Sequence, residues 1–259
     1  MGEENKTRDA VDAVTGLVKA VPVYQDVVQP AAKEIGVGLQ KTVQLALAPI
    51  SGLVWGFDKI KDFVGTSVAK RLEKVSPEKI ITPLPQIAGP ALEALKYTGH
   101  DEKLREMFAK LLATAMDEKT ATTAHPSFVE IIRQLSSDEA KICHLMKKQG
   151  EFVVVSLFEE DNTSYRFVVE NYSTLGYAAS CQFPTKIQEY LGNLSRLGLL
   201  EIVYHGEPVE IERYKELEEH LDFREALERI AAAKCKPVFE RGDIGVTAFG
   251  EQFMEACVD

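Results

Sequence analysis

The chain is poor in the residues from which metal and redox sites are built. Its 259 residues include four cysteines and five histidines, with no Cys-x-x-Cys pair and no spaced Cys/His cluster. Free thiols, buried or half-buried in a reducing compartment, are therefore expected at Cys143, Cys181, Cys235 and Cys257. Neither Gly-x-Ser-x-Gly nor His-Glu-x-x-His occurs. We expect no cofactor, and the lack of a catalytic motif favours a non-enzymatic protein.

The chain also has fewer basic residues than acidic ones. The chain has 30 Lys and Arg against 40 Asp and Glu, for a formal net charge of −10. A protein that binds nucleic acid needs a basic surface to meet the phosphates, so this composition makes a nucleic-acid partner unlikely. With 45% hydrophobic and 27% charged residues, the chain has the composition of a globular protein.

No long uninterrupted apolar run occurs, although residues 35–64 approach one. The piece from Leu45 to Phe57 is free of charge, but Lys41 and Asp58 flank it, so it is shorter than the span of about 20 residues that crosses a bilayer. Two interpretations stay open: a buried helical hairpin, or a segment that enters a membrane only on activation. The residues that would serve as either core or membrane anchors are Leu47, Leu53, Trp55 and Phe57. Residues 1–10 are charged and precede no apolar run, so we expect a cytoplasmic protein.

Residues 24–135 predict a helical domain that follows a flexible or weakly helical segment at 1–23. Residues 66–83 predict one helix, and three short helical patterns follow between 84 and 135. Pro90 is expected in the first turn of the first of these three, and Asp101 at the N-cap of the second.

Residues 136–259 predict a winged-helix-like α+β domain. Ser136 and Glu139 form a capping-box pattern, and residues 152–158 and 165–169 predict a β-hairpin. A helix at 186–197, capped by Thr185, leads through Gly198 into a strand, and a short strand at 244–247 precedes a last helix at 248–257. An acidic insertion at about 208–236 carries a single charged helix, 211–234. The predicted fold class is therefore mainly α, with an N-terminal helical domain followed by this winged-helix-like domain.

The helix at 186–197 is where a winged helix would contact a partner. Its candidate interaction residues are Lys186, Gln188, Asn193 and Arg196. Glu189 and Glu201 balance the two cations, and the acidic insertion follows, so these residues favour protein contact or dimerisation over DNA recognition.

His100 and His125 are the candidate metal ligands: His100 directly precedes Asp101, and His125 is grouped with Glu130. Each histidine lies at a predicted loop before a helix, where capping also explains a polar residue. A shared site requires the two loops to meet in space, so we expect no metal.

The stretch from residue 24 to 135 resembles the bacterial Abi-alpha (abortive infection alpha) family. The resemblance rests on residues 24–34, on Ala48-Pro-Ile-Ser-Gly-Leu-Val-Trp-Gly-Phe-Asp-Lys-Ile60 and on residues 84–135, and it continues more loosely past Leu135. Family membership implies a role in antiphage defence by abortive infection, and it brings no catalytic residues to this sequence.

Three functions remain open. The resemblance and the missing catalytic motifs favour a sensor or effector that acts through contacts with a partner protein or as a homo-oligomer. The alternatives are a membrane-perturbing effector that uses residues 35–64, and a winged-helix transcriptional regulator or other nucleic-acid binder.

Overall fold

The computed structural model describes residues 54–161, 165–206 and 210–259. The chain divides into two compact units, one ending at Gln134 and also including Asp259, the other spanning Leu135–Val258. The described residues are mostly helical with a small antiparallel sheet, which confirms the mainly α assignment. The winged-helix-like assignment stays a prediction. Leu47, Leu53 and the rest of residues 1–53 lie outside the described residues.

Four helices and two 3-10 turns make up the described part of the first unit. Its elements are α1 (Phe57–Leu72), a 3-10 turn (Pro77–Lys79), α2 (Pro85–Thr98), α3 (Glu102–Met116), a 3-10 turn (Ala121–Thr123) and α4 (Ser127–Arg133). The apolar face of α3 forms the centre of this unit, with Phe108, Leu111 and Leu112 fully buried. Asp101 caps α3, as predicted, by accepting hydrogen bonds from the backbone N–H groups of Lys103 and Leu104.

Two of the predicted helix boundaries in this unit are wrong. The helix predicted at 66–83 is the second half of α1, which begins at Phe57 and ends at Leu72. Pro90 lies inside α2 rather than in its first turn, because Pro85 already occupies that place. Pro90 has no backbone N–H, so the carbonyl of Gln86, four residues earlier, receives no helical hydrogen bond. The helix tolerates this loss because Gln86 is exposed and water can reach its carbonyl.

The apolar segment ahead of α1 is buried only in part. Trp55 is 7% exposed, which agrees with the buried-hairpin interpretation, and it packs edge-on against Phe63 with ring centroids 5.5 Å apart. Phe57, which the buried-hairpin interpretation places in the core, is instead 38% exposed at the start of α1. Among the described helices, none is both long and apolar enough to cross a membrane.

The second unit is built on a four-stranded antiparallel sheet. The chain runs through α5 (Ser137–Lys148), β1 (Glu151–Glu160), β2 (Tyr165–Tyr172), α6 (Leu175–Ala178), a 3-10 turn (Pro184–Lys186), α7 (Ile187–Arg196), β3 (Leu200–His205), α8 (Glu212–Glu219), α9 (Leu221–Ala232), β4 (Lys236–Val246) and α10 (Ala248–Cys257). The strand order is β2-β1-β4-β3. The hairpin and the capping box of Ser136 with Glu139 are confirmed. Thr185, the predicted cap, lies in the 3-10 turn instead, and α7 begins at Ile187.

The insertion covers one face of this sheet. The prediction of a single helix at 211–234 is wrong, because the backbone is extended at His220 and separates α8 from α9. Both helices place buried side chains against the strands, in a cluster formed by Val155, Leu157, Tyr172, Tyr214, Leu217, Phe223, Ala226 and Ile230. The break lets two short helices follow a twisted sheet that one straight helix would contact only in part. The strand predicted at 244–247 is also longer than expected, because β4 begins at Lys236 and pairs along the whole length of β1, from Glu160 onward.

Candidate contact surfaces

The predicted interaction residues at α7 are largely engaged within the protein. The Asn193 amide donates to Glu139 at 2.7 Å and accepts from the Arg196 guanidinium at 2.7 Å. Lys186 forms an exposed ion pair with Glu189 at 3.5 Å. Gln188 is half-buried. The structure therefore leaves few donors on α7 that could reach a base edge or a phosphate.

Asp138, at the start of α5, has the most strongly shifted pKa among the carboxyl groups of the second unit that the structure describes. Burial alone would raise the pKa of this carboxyl, but Lys141, the N–H groups of Gln182 and Phe183, and the Tyr190 hydroxyl all donate to it and lower its pKa to about 2. The donor distances are 2.8 Å for Lys141 and Gln182 and 3.0 Å for Phe183 and Tyr190. The carboxylate is buried, and both of its oxygens accept hydrogen bonds from these four donors. Asp138 therefore holds the 182–183 loop to α5 and α7 rather than serving as a proton acceptor.

The two candidate metal ligands have local roles. His125 is exposed, and its Nδ1 atom accepts a hydrogen bond from the Ser127 N–H at 3.1 Å at the start of α4. His100 is exposed beside the capping residue Asp101. Within the described part of the chain, no group of three or more His, Cys, Asp or Glu side chains could hold a metal ion. Purification without stoichiometric metal stays a prediction, which elemental analysis of wild type, His100→Ala and His125→Ala would check.

The four thiols are free and buried or half-buried, as expected. Burial raises the pKa of Cys143 to about 12 and that of Cys181 to about 11. These two thiols are therefore protonated at neutral pH and poor nucleophiles.

A cleft of about 590 Å³ lies in the first unit, beside α1 and α3. Its central cation, Arg71, donates to the Ser67 carbonyl and hydroxyl, to Glu106 at 2.9 Å, and to Asp259. Burial opposes the charge of Arg71, but the hydrogen bonds that it donates to Asp259 and Glu106, together with their negative charges, raise its pKa. Because these groups use all five guanidinium donors, Arg71 has none left for an external anion.

The sheet of the second unit carries an exposed aromatic surface that the sequence did not predict. Directly opposite residues of antiparallel strands share a face, and the register pairs Phe158 with Phe167 and Glu160 with Tyr165. The Phe158 ring lies 4.4 Å from the Tyr165 ring and 4.1 Å from the Phe167 ring, measured between centroids. Phe158 is 4% exposed, whereas Tyr165 is 51% and Phe167 is 58% exposed.

Tyr204 borders this aromatic cluster. From β3 its ring crosses Gly242 of β4, and its hydroxyl lies 2.7 Å from the Ser156 hydroxyl on β1 and donates to Asn171 on β2. The crossing requires glycine at 242, since a Cβ there would stand 2.5 Å from the Val203 carbonyl oxygen and 3.1 Å from the Tyr204 ring. Tyr204 is thereby fixed with 39% of its surface exposed.

Glu240 lies between the two exposed tyrosines on the same face, since β4 pairs it with Ser156. Burial, and then the charges of Glu240 and Glu160, raise the pKa of Tyr165. Burial and the charges of Glu240 and Glu170 also raise the pKa of Tyr204, against the Ser156 hydrogen bond that lowers it. We call Phe158, Tyr165, Phe167, Tyr204 and Glu240 the open sheet surface.

The sequence held a partial signal for this surface. Alternating aromatic residues at 165 and 167 are typical of one face of a strand, but the sequence alone does not say which face the inserted helices cover. The bulge-containing register of β1 with β2, and the strand order that brings Tyr204 and Glu240 alongside, come from tertiary pairing.

Comparison with known proteins gives one family. The profile of the family described as abortive infection alpha matches residues 56–257, which covers most of the chain. No curated protein matches the chain. Among solved structures, the chain is similar to an uncharacterized protein from the hydrocarbon-degrading marine bacterium Alcanivorax borkumensis, at 21% sequence identity and a TM-score of 0.38, over 55% of this chain and 96% of that one.

Proposed function

Because this chain belongs to the abortive infection alpha family, we propose that it is a bacterial cytoplasmic component of antiphage defence that acts as sensor or effector through contact with another protein. Membership of the family supports the defence role. The open sheet surface supports the contact, and it is the observation on which the proposal rests.

Exposed aromatic rings grouped on one face are a recognised property of protein-binding surfaces. Aromatic residues are enriched at interfaces and supply much of the binding energy there. Tyr165 and Phe167 expose more than half of their surface, and their contacts with Phe158 hold them in place before any partner binds. Such preorganisation lowers the entropic cost of binding.

We further propose that the second unit is a winged-helix-like module used for protein contact. In support, α7 leads through Gly198 into β3, and β3 pairs with β4 before α10 begins. Gly198 has a φ of 73°, which suits glycine at this helix-to-strand turn. The internal engagement of Asn193 and Arg196 favours the sheet over α7 as the contact surface.

Phage challenge of cells that express the chain tests this function. The wild-type chain should lower the plaque count relative to an empty vector, and the double variant Tyr165→Ser, Phe167→Ser should lose that protection while staying folded. Tyr97→Ser is the matched control, because Tyr97 is an aromatic residue that is 64% exposed on α2. Full protection by the folded double variant would refute the contact surface, and equal plaque counts with wild type and empty vector would refute the defence role.

A further inference from the structure

We propose that the open sheet surface binds a lysine- or arginine-bearing segment of a partner protein. This inference rests on the proposed function and specifies the chemistry of the partner. It is carried by the combination of exposed aromatic rings with a carboxylate that the described residues leave unpaired.

The rings provide the first half of a cation site. A guanidinium or ammonium group is attracted to the face of an aromatic ring within about 6 Å of its centroid. Phe167 and Tyr165 present ring surface to solvent beside Phe158, and Tyr204 adds a third exposed ring on the same face. A flat guanidinium can therefore stack here, as can the apolar stem of a lysine.

Glu240 provides the second half. Its half-buried carboxylate makes no ion pair or side-chain hydrogen bond with any of the residues that the structure describes. Neighbouring charges are paired: Lys236 with Glu160 at 3.5 Å, Arg166 with Glu159 at 2.8 Å, and Arg241 with Glu218 at 2.6 Å. Among the described residues Glu240 thus lacks a cation, and an incoming cation would neutralise a carboxylate that is already half-buried beside the rings.

Charge also decides between the possible occupants. Nucleic acid and anionic lipid would bring negative charge to Glu240, Glu160 and Glu170, in a chain whose net charge is already −10. A second copy of the chain that docks by the same surface would bring a second Glu240 into the interface and supply no matching cation. A basic segment brings complementary charge to the carboxylate and apolar stems to the rings.

Fluorescence anisotropy with two labelled peptides tests the proposal. An arginine–serine repeat peptide should bind the wild-type chain, and a glutamate–serine repeat peptide should not. Glu240→Arg and Phe167→Ser should each weaken binding of the arginine peptide by about tenfold. Glu251→Arg is the matched control, because it makes the same charge change at an exposed position on α10 and should bind as the wild type does. Thermal melting establishes that each variant is folded, and Glu240→Gln, which removes the charge without reversing it, replaces Glu240→Arg if that variant is not.

Several outcomes would overturn the proposal. Equal weakening by Glu251→Arg would mean that the peptide senses net charge alone. Equal binding of the glutamate peptide, binding of a DNA duplex that Phe167→Ser abolishes, or self-association that Phe167→Ser abolishes would each identify a different occupant. In the phage challenge, loss of protection with Tyr165→Ser, Phe167→Ser but not with Glu240→Arg would leave the contact function standing and remove the basic partner. If the peptides bind as expected but Tyr165→Ser, Phe167→Ser and Glu240→Arg both protect fully against phage, the binding site would be supported and its role in defence refuted.

Discussion

Ser156 and Tyr204 lie on strands that do not pair with each other, yet their hydroxyl groups are 2.7 Å apart. The contact is possible because β4, which separates the two strands, has glycine at position 242. The Asn171 backbone N–H donates to the same Ser156 oxygen at 2.9 Å, so one serine joins residues of β2 and β3 across the sheet. Asn171 has a φ of 54°, in the left-handed region that asparagine tolerates better than most residues.

Gly242→Ala should lower the free energy of unfolding by about 1–3 kcal/mol, because the new methyl group meets the Val203 carbonyl and the Tyr204 ring. Urea denaturation would measure the change. Gly245→Ala is the control on the same strand, where a Cβ has no neighbour within 4 Å, and it should be neutral or stabilising by less than about 1 kcal/mol. Equal effects of the two substitutions would contradict a specific role for the crossing at Gly242.

Asp138 should make the second unit sensitive to acid. Its folded pKa of about 2 lies below the ordinary value of 3.8, so the stabilisation is complete above about pH 4 and is lost as the pH falls toward 2. The shift corresponds to about 2 kcal/mol. Urea midpoints measured across this pH range should fall for the wild type, and they should fall less steeply for Asp138→Asn.

At neutral pH, Asp138→Asn should cost about 2–4 kcal/mol, since an amide cannot accept four hydrogen bonds and brings its own donors toward two backbone N–H groups. Glu189→Gln is the control, because it removes a carboxylate that is 70% exposed and paired with Lys186. It should change stability by less than about 1 kcal/mol. If the urea midpoint of Asp138→Asn fell with pH as steeply as that of the wild type, a group other than Asp138 would be responsible for the acid sensitivity.

Trp55 and Phe57 should respond differently to truncation, although both belong to the same apolar segment. Trp55→Ala should cost about 3–5 kcal/mol, because the buried indole contacts Phe63 and packs closely on Gly99. Phe57→Asp should stay soluble and folded, since its side chain is exposed and an acid suits the first turn of α1. Thermal melting would compare them. Aggregation of Phe57→Asp would contradict this, and a folded Phe57→Asp that loses liposome leakage and toxicity found in the wild type would support the membrane alternative.

No sequence-specific DNA binding is expected at physiological salt. Lys186 is paired with Glu189, and Arg196 and Asn193 bond to each other on α7. Anisotropy titration with labelled duplexes and excess competitor DNA would measure this. Nanomolar binding that resists competitor would restore the transcriptional regulator as the better account.

Local signals in the sequence predicted local structure well. Asp101 and the Ser136–Glu139 pair were identifiable because a cap depends on residues within one turn. The hairpin was identifiable from two β-branched and aromatic runs joined by polar residues. Pro90 was misplaced because proline is favoured in a first turn, whereas here Pro85 takes that position and an exposed carbonyl makes the second proline tolerable.

The open sheet surface could not be predicted, because it depends on pairings between distant strands. Glu240 is brought beside Tyr165 only through β1, and the face is recognisable as open only because α8 and α9 cover the opposite one. The acidity of the inserted helices concealed their buried residues: Glu218, Glu219 and Glu225 dominate the sequence there, while Tyr214, Leu217 and Phe223 supply the packing.

The covering of one sheet face by the inserted helices gives the covered residues of β1 and the exposed residues of β2 different tolerances to substitution. Side chains of β1 on the covered side, such as Val155 and Leu157, are confined on every side, and changes there should lower the amount of folded protein in the cell. On β2, Tyr165 and Phe167 project the other way and can be changed while abundance is kept. In a saturation mutagenesis scored for both abundance and phage survival, substitutions at Val155 and Leu157 should therefore lower both scores, whereas substitutions at Tyr165 and Phe167 should lower phage survival alone.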